Sequence, residues 1–253
     1  MERFLVILVN GLLSQAELMI ILSKSMIEFK IIENNETFVI LEVEDESKLL
    51  ELGGIYKVGK IICINESFEK MFEEIEQDGT LINLDDKQQW NISYYSDEKI
   101  NTDLYDEIQN NLAGLIKKNS TKTKFIRNNM KSDYFIELSV DKEKKNAMNI
   151  LLGNTNNRFY IAENKKSIKS SKFIKRDLNR PYQDSKISLS PRTARILVNM
   201  LGLENGKTIL DPFCGTGTFL IEAIIQGYKV AGVDNRKESV SYTHLTLPTS
   251  DLV

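Results

Sequence analysis

Residues 208–234 read as strand, glycine turn, helix and strand: "TIL", then "DPFCGTG", then "TFLIEAIIQ" stopping at Gly227, then "KVAGV" ending at Asp234. This order constrains the fold more than any other feature of the chain. A strand that returns to its own sheet through a helix lies parallel to the first strand, and such crossovers have one hand. The pattern predicts the opening of a doubly wound α/β sheet. Just before it, "SLSPRTARILVNMLGL" predicts a helix with Ser190 as N-cap, Pro191 in the first turn and Gly202 past its end.

A glycine turn between a first strand and its helix commonly cradles a nucleotide-like ligand. A Walker loop needs Lys and Ser or Thr after its last glycine, and Gly217 is followed by Thr218 and Phe219. A dinucleotide loop needs a third glycine where Ile221 stands, and the Asp211 carboxylate opposes an anionic pyrophosphate. S-adenosylmethionine fits better. It carries an ammonium that Asp211 favours and a sulfonium in place of phosphate. Gly215 and Gly217 let backbone approach a ligand closely. Asp234, at the end of the second strand, is placed to accept hydrogen bonds from ribose hydroxyls.

The rest of the composition narrows the classes. The only cysteines, Cys63 and Cys214, stand far apart, and His244 is the only histidine. Neither a zinc site nor a disulfide framework is expected, and a reducing cytoplasm suits the chain. No apolar run reaches the ~18 residues of a membrane helix. The formal net charge of −3 hides an asymmetry: residues 1–115 hold 9 Lys+Arg and 23 Asp+Glu, whereas residues 116–240 hold 24 and 12. Basic faces attract phosphate backbones by releasing counterions. Lys165, Lys166, Lys172, Lys175, Arg176 and Arg180 are the candidate RNA contacts.

Along the chain, "RFLVILV" predicts a buried strand and "SQAELMIILSKSM" a helix capped by Ser14. "FKII" and "TFVILEVE" predict a hairpin around "ENNE", followed by the strand "GIYKVGKIICI". "SFEKMFEEIEQ" predicts an amphipathic helix capped by Ser67 and ended by Asp78-Gly79. After these, "QWNISYY", "TKFIR", "DYFIELSV" and "FYIAE" predict strands, with "DLYDEIQNNLAGLIKKN" as a helix whose acidic start and basic end suit its dipole. The polar, basic stretch "ENKKSIKSSKFIKRDLNRPYQDSK" has no apolar period and predicts a linker.

"DPFCGTGTFLIEA" resembles the cofactor motif of class I, amino-directed methyltransferases of the RNA guanosine-N2 family. "KRDLNRP" followed by "LSPRTARILVNM" resembles the segment that leads into their catalytic domain. The element order before it resembles a ferredoxin-like domain followed by a THUMP domain, an RNA-binding module of such enzymes. The resemblance implies a multidomain α/β and α+β protein. Its parts are a ferredoxin-like domain at 1–82, a THUMP-like domain at 83–165 and a basic linker at 166–188. The first part of a Rossmann-like methyltransferase domain follows at 189–239. It implies S-adenosylmethionine as cofactor and structured RNA, most simply tRNA, as partner, with large-subunit rRNA or DNA as alternative substrates. Cofactor contacts carry over to Asp211, Cys214, Gly215, Thr216, Gly217, Thr218, Asp234 and Asn235, and with less support to Phe213 and Ser190. Cys214 is expected to pack beside the ligand rather than attack it, and Glu222 receives no role.

Residues 240–249, "VSYTHLTLPT", resemble the translation of a sequencing-library adaptor, so 240–253 is expected to be non-native and His244 carries no chemistry. The family orients the target amine with an Asp/Asn-Pro-Pro-aromatic motif. Neither "DPP" nor "NPP" occurs in this sequence. The catalytic residues are therefore unassigned. The chain as it stands is expected to be inactive, or at most a non-catalytic RNA-binding fragment.

Overall fold

The computed structural model describes residues 1–78, 88–119, 122–128, 130–132, 135–137, 147–155, 158–168, 171–178, 189–204 and 206–235. Contacts divide the chain into two units. The first comprises Met1–Leu12, Ile27–Leu50 and Ile55–Lys169; the second comprises Leu13–Met26, Glu51–Gly54 and the chain from Ser170 onward.

The first unit is built on a sheet of ten strands among the described residues: β1 (Glu2–Leu8), β2 (Phe29–Asn34), β3 (Phe38–Val43), β4 (Ile55–Asn65), β5 (Gln89–Ser96), β6 (Lys124–Phe125), β7 (Met130–Lys131), β8 (Phe135–Glu137), β9 (Ala147–Thr155) and β10 (Arg158–Ser167). Their order is β2-β3-β1-β4-β10-β9-β5-β8-β7, with β6 beside β5. The expected β2–β3 hairpin forms, and its turn has a side-chain cause. Asn35 Oδ1 accepts hydrogen bonds from the amides of Thr37 at 2.9 Å and Phe38 at 2.8 Å. β1 lies between β3 and β4, which accounts for its run of five buried apolar residues, Phe4–Leu8.

Two helices cover one face of this sheet. α2 (Phe68–Gln77) starts at Ser67, whose side chain caps the Lys70 amide at 3.3 Å, and buries Phe68, Met71 and Ile75. α3 (Thr102–Asn119) is capped by Asn101, which accepts from the Asp103 and Leu104 amides. It buries Tyr105, Ile108, Leu112 and Ile116 against Trp90, Ile92, Ile150, Leu152 and Ile161. The opposite face carries Leu5, Ile7, Phe38, Ile40, Tyr95, Leu151, Tyr160 and Ala162. Asn91, Ser93 and Asn149 lie in the same alternation and are buried with Lys57, whose Nζ donates to Ser93 Oγ at 3.1 Å and Asn149 Oδ1 at 3.4 Å.

Several expectations need correction here. The nine-residue strand β9, parallel to β5, was not foreseen. β10 runs on to Ser167 rather than ending near 163. "TKFIR" pairs only at Lys124–Phe125, and the strand in "DYFIELSV" is described only at Phe135–Glu137.

In the second unit, α1 (Gly11–Lys24) begins three residues before Ser14. Ser14 is therefore not a cap but a buried interior residue, on one stripe with Leu18 and Leu22. Glu17, fully buried beside that stripe, accepts from the amides of Gly53 at 2.9 Å and Gly54 at 2.7 Å, and from the Asn199 side chain. Asn199 belongs to α5 (Pro191–Met200), which starts as expected at the cap Ser190 and is followed by Gly202 in left-handed backbone, φ 59°. The stretch expected to be a featureless linker contains α4 (Ser171–Leu178), with Phe173 buried. β11 (Thr208–Asp211), α6 (Thr218–Ile225) and β12 (Lys229–Gly232) follow, and the two strands pair in parallel from Thr208–Lys229 to Asp211–Gly232. Val198, Ile209, Ala223 and Tyr228 form their core.

Candidate cofactor site

The site sits where β11 and β12 end. Asp211 closes β11, and its Oδ1 accepts from the Phe213 amide at 3.0 Å, which turns the chain. The turn is then stitched to the end of β12. Val233 N donates to Asp211 O at 2.9 Å, and Cys214 N to Val233 O at 3.0 Å. Gly217 N bonds back to Cys214 O at 2.8 Å. Gly215 and Gly217 adopt φ values of 50° and 76°, the left-handed region in which a side chain is strained. A Cβ at either would meet nothing within 4 Å, so no protein packing demands glycine there; the backbone conformation does, and it leaves open space above the turn.

Gly217 is also the N-cap of α6 and has no side chain with which to cap it. Asp234 is hydrogen-bonded to the turn itself. Its Oδ2 accepts from Gly215 N at 2.8 Å, so the carboxylate expected at a ribose also fixes the glycine turn. Cys214 is half-buried. Burial, then the Asp211 and Asp234 carboxylates, push its thiol above the ordinary value, which keeps it protonated. Gly232 answers a different demand: a Cβ there would lie 2.5 Å from Leu220 Cδ1 and 2.9 Å from Cys214 Sγ. Thr216 is half-buried, Thr218 buried, Asn235 exposed and Phe213 85% exposed.

The structure thus brings Asp211, Cys214, Gly215, Thr216, Gly217, Thr218 and Asp234 to one strand-end turn, with Phe213 and Asn235 at its surface. Ser190 is engaged elsewhere. Its Oγ accepts from Thr193 N at 3.1 Å and shares a hydrogen bond with Thr193 Oγ1. Among the RNA candidates, Lys165 and Lys166 are exposed on β10, and Lys165 Nζ lies 2.6 Å from Glu163. Lys172 and Lys175 are exposed on α4. Arg176 turns inward to Glu222, and Arg180 lies outside the described residues.

Glu222 is the residue that sequence reasoning left without a role. It is fully buried on α6, one turn after Thr218, and holds two guanidinium groups: Arg176 Nε at 2.6 Å and Arg195 Nε at 3.0 Å. The signal was a lone carboxylate in the otherwise apolar "TFLIEAII". Such a residue is buried only with partners. Among the described residues no group of three or more His, Cys, Asp or Glu side chains is arranged to hold a metal ion, and no helix is long and apolar enough to cross a membrane.

Residues 179–247 match the family described as UPF0020, RMKL-like methyltransferase domain. A tRNA (guanine(10)-N2)-dimethyltransferase of Methanothermobacter thermautotrophicus is 55% identical over 47 residues, which is 19% of this chain and 14% of that protein. The match therefore spans far less than the length of this relative. TrmN from Thermus thermophilus superposes with a TM-score of 0.62 at 14% identity, covering 95% of this chain and 68% of that one. SMU.472 complexed with SAH superposes with a TM-score of 0.50 at 12% identity, covering 90% of this chain and 56% of that one. The chain thus has a mixed α/β fold shared with methyltransferases, and a methyltransferase-domain match that contains the glycine turn.

Proposed function

We propose that this chain is part of an S-adenosylmethionine-dependent enzyme that methylates guanosine N2 in tRNA. One observation carries the reading: the open turn at Gly215 and Gly217, flanked by Asp211 and Asp234, in a segment that matches a methyltransferase domain. The residues suit the cofactor. The N-terminus of α6 favours its carboxylate, Asp211 favours its ammonium, and Asp234, at the end of β12, accepts from ribose hydroxyls. The cofactor supplies an electrophilic methyl group. This chain's residues bind and orient it, through a turn held by its own hydrogen bonds. Guanine as substrate rests on the similarity to the guanine-N2 enzyme. Residues 1–165, in this reading the ferredoxin-like and THUMP-like parts, hold the RNA together with Lys165, Lys166, Lys172 and Lys175.

Calorimetry with S-adenosylhomocysteine tests the cofactor. Asp234→Ala should weaken binding by about 1–3 kcal/mol, the cost of losing a charged hydrogen bond. An unaltered Kd would remove Asp234 from the site. Transfer of labelled methyl is then measured on this chain and on a version with natural sequence in place of residues 240–253. The substrates are a tRNA transcript and the same transcript with inosine, which lacks N2, at the target. Label that persists on inosine would overturn the N2 assignment, and turnover by the 253-residue chain would overturn the expectation that its catalytic residues lie elsewhere.

A further inference from the structure

We propose that Glu222 is a positioning residue that links the cofactor turn to α4, so that RNA held on the exposed side of α4 and ligand held in the turn strengthen each other's binding. The inference rests on the function proposed above.

The geometry begins with α6. Its first residue, Thr218, belongs to the glycine turn, and Glu222 follows one helical turn later on the same buried face. Any tilt or slide of α6 that repositions Glu222 therefore moves the amides of the turn. Glu222 does not pack against apolar side chains alone. Oε1 accepts from Arg176 Nε at 2.6 Å, while Oε2 accepts from Arg176 Nη2 at 3.2 Å and Arg195 Nε at 3.0 Å. The bidentate pair fixes α4 to α6 in direction as well as distance.

α4 is two-sided. Phe173 is buried, with the guanidinium carbons of Arg176 and Arg192 at 4.8 and 4.5 Å from its ring centroid. Lys172 and Lys175 are exposed. One short helix thus carries cations for a phosphate backbone outside and the partner of Glu222 inside.

Stability alone does not explain the arrangement. Burying a carboxylate with two guanidinium groups costs desolvation that the mutual attraction barely offsets, and apolar residues of similar volume serve as well or better. What the charges add is sensitivity. An apolar contact tolerates sliding, whereas a bidentate pair is either made or broken. Phosphates held at Lys172 and Lys175 order α4, which holds Arg176 on Glu222 and the turn in its ligand-binding form. Linkage then requires that ligand in the turn tighten RNA by the same factor.

The test is the affinity for S-adenosylhomocysteine measured with and without a saturating tRNA transcript, expressed as a ratio within each variant. The wild-type chain should show a ratio of about 5 or more, the lower end of ordinary coupling. Glu222→Gln should bring it close to 1, and the double variant Arg176→Gln/Glu222→Gln should lose no more than the single one. A purely structural Glu222 would lower stability and both affinities while leaving the ratio unchanged, and that result would overturn the proposal. Hydrogen exchange at the amides of 214–218 gives a second reading: RNA should slow it in the wild type and not in Glu222→Gln. Ligand binding without any effect of RNA on the wild-type ratio overturns this inference alone. No ligand binding at all overturns the cofactor reading and the linkage with it.

Discussion

The two units solve the same problem with different chemistry. In the ten-stranded unit, both faces of the central strands meet apolar side chains, apart from one buried polar patch where Lys57 meets Ser93 and Asn149. Ile92, Tyr94, Ile150 and Leu152 line one face, and Tyr95, Leu151 and Tyr160 the other. In the second unit the two-stranded sheet buries alternate residues only: Ile209 lies inside while Leu210 is 62% exposed. There the helices are joined by buried carboxylates, Glu17 reaching α5 and Glu222 reaching α4 and α5. Apolar cores are tolerant of small shifts and cheap to maintain; buried charges demand every partner. The contrast teaches where geometry matters most, since the clamped unit contains the candidate site.

The comparison can be broken in order of expected effect. Leu152→Ala removes a fully buried side chain from the larger core and should cost about 2–5 kcal/mol in urea unfolding followed by fluorescence of Trp90, which lies in the same cluster. A loss below about 1 kcal/mol would mean that this core does not hold the unit. Gly232→Ala puts a methyl group against Leu220 and Cys214 and should cost about 1–3 kcal/mol, with faster hydrogen exchange at the 214–218 amides. Unchanged exchange would show that the β12–α6 contact relaxes freely.

The smallest effect concerns pH. Burial raises the Glu17 carboxyl above its ordinary 4.5, against the lowering influence of Gly53, Asn199, Gly54 and Arg195. Between the ordinary and raised values the folded state binds the extra proton, so this group makes the second unit less stable as pH rises through that window. Exchange at α5 amides should therefore slow as pH is lowered from neutrality toward 4.5, after correction for intrinsic rates. Glu17→Gln should lose that dependence, and an identical slope in both proteins would exclude Glu17 as its source.

Much of this was legible in the sequence because local signals and tertiary structure agreed. Ser67 and Ser190 cap helices in the structure as their positions predict, and the glycine turn lies between parallel strands. The failures share a cause. Asn149 interrupts the apolar run of β9, and it is tolerated inside because Asn91 and Ser93 satisfy its amide. α4 shows no apolar period because one inward position is Arg176, whose partner stands 46 residues later. Ser14 looked like a cap since nothing local reveals that Gly54 packs on it. Each of these polar residues is explained by a partner distant in sequence, which periodicity cannot register.

The Glu17–Asn199 hydrogen bond closes 182 residues of chain. On a ribosome adding about 5–20 residues per second, α1 emerges roughly 10–40 s before α5 exists. Through that interval the Glu17 carboxylate has no Asn199 to meet. The Glu17–Asn199 contact therefore cannot form until the segment carrying α5 has been made. A protein cut at residue 170 and expressed as two genes would lack this timing: its later half would be born without α1 or the Glu51–Gly54 segment, and would have to find them by collision rather than by tether.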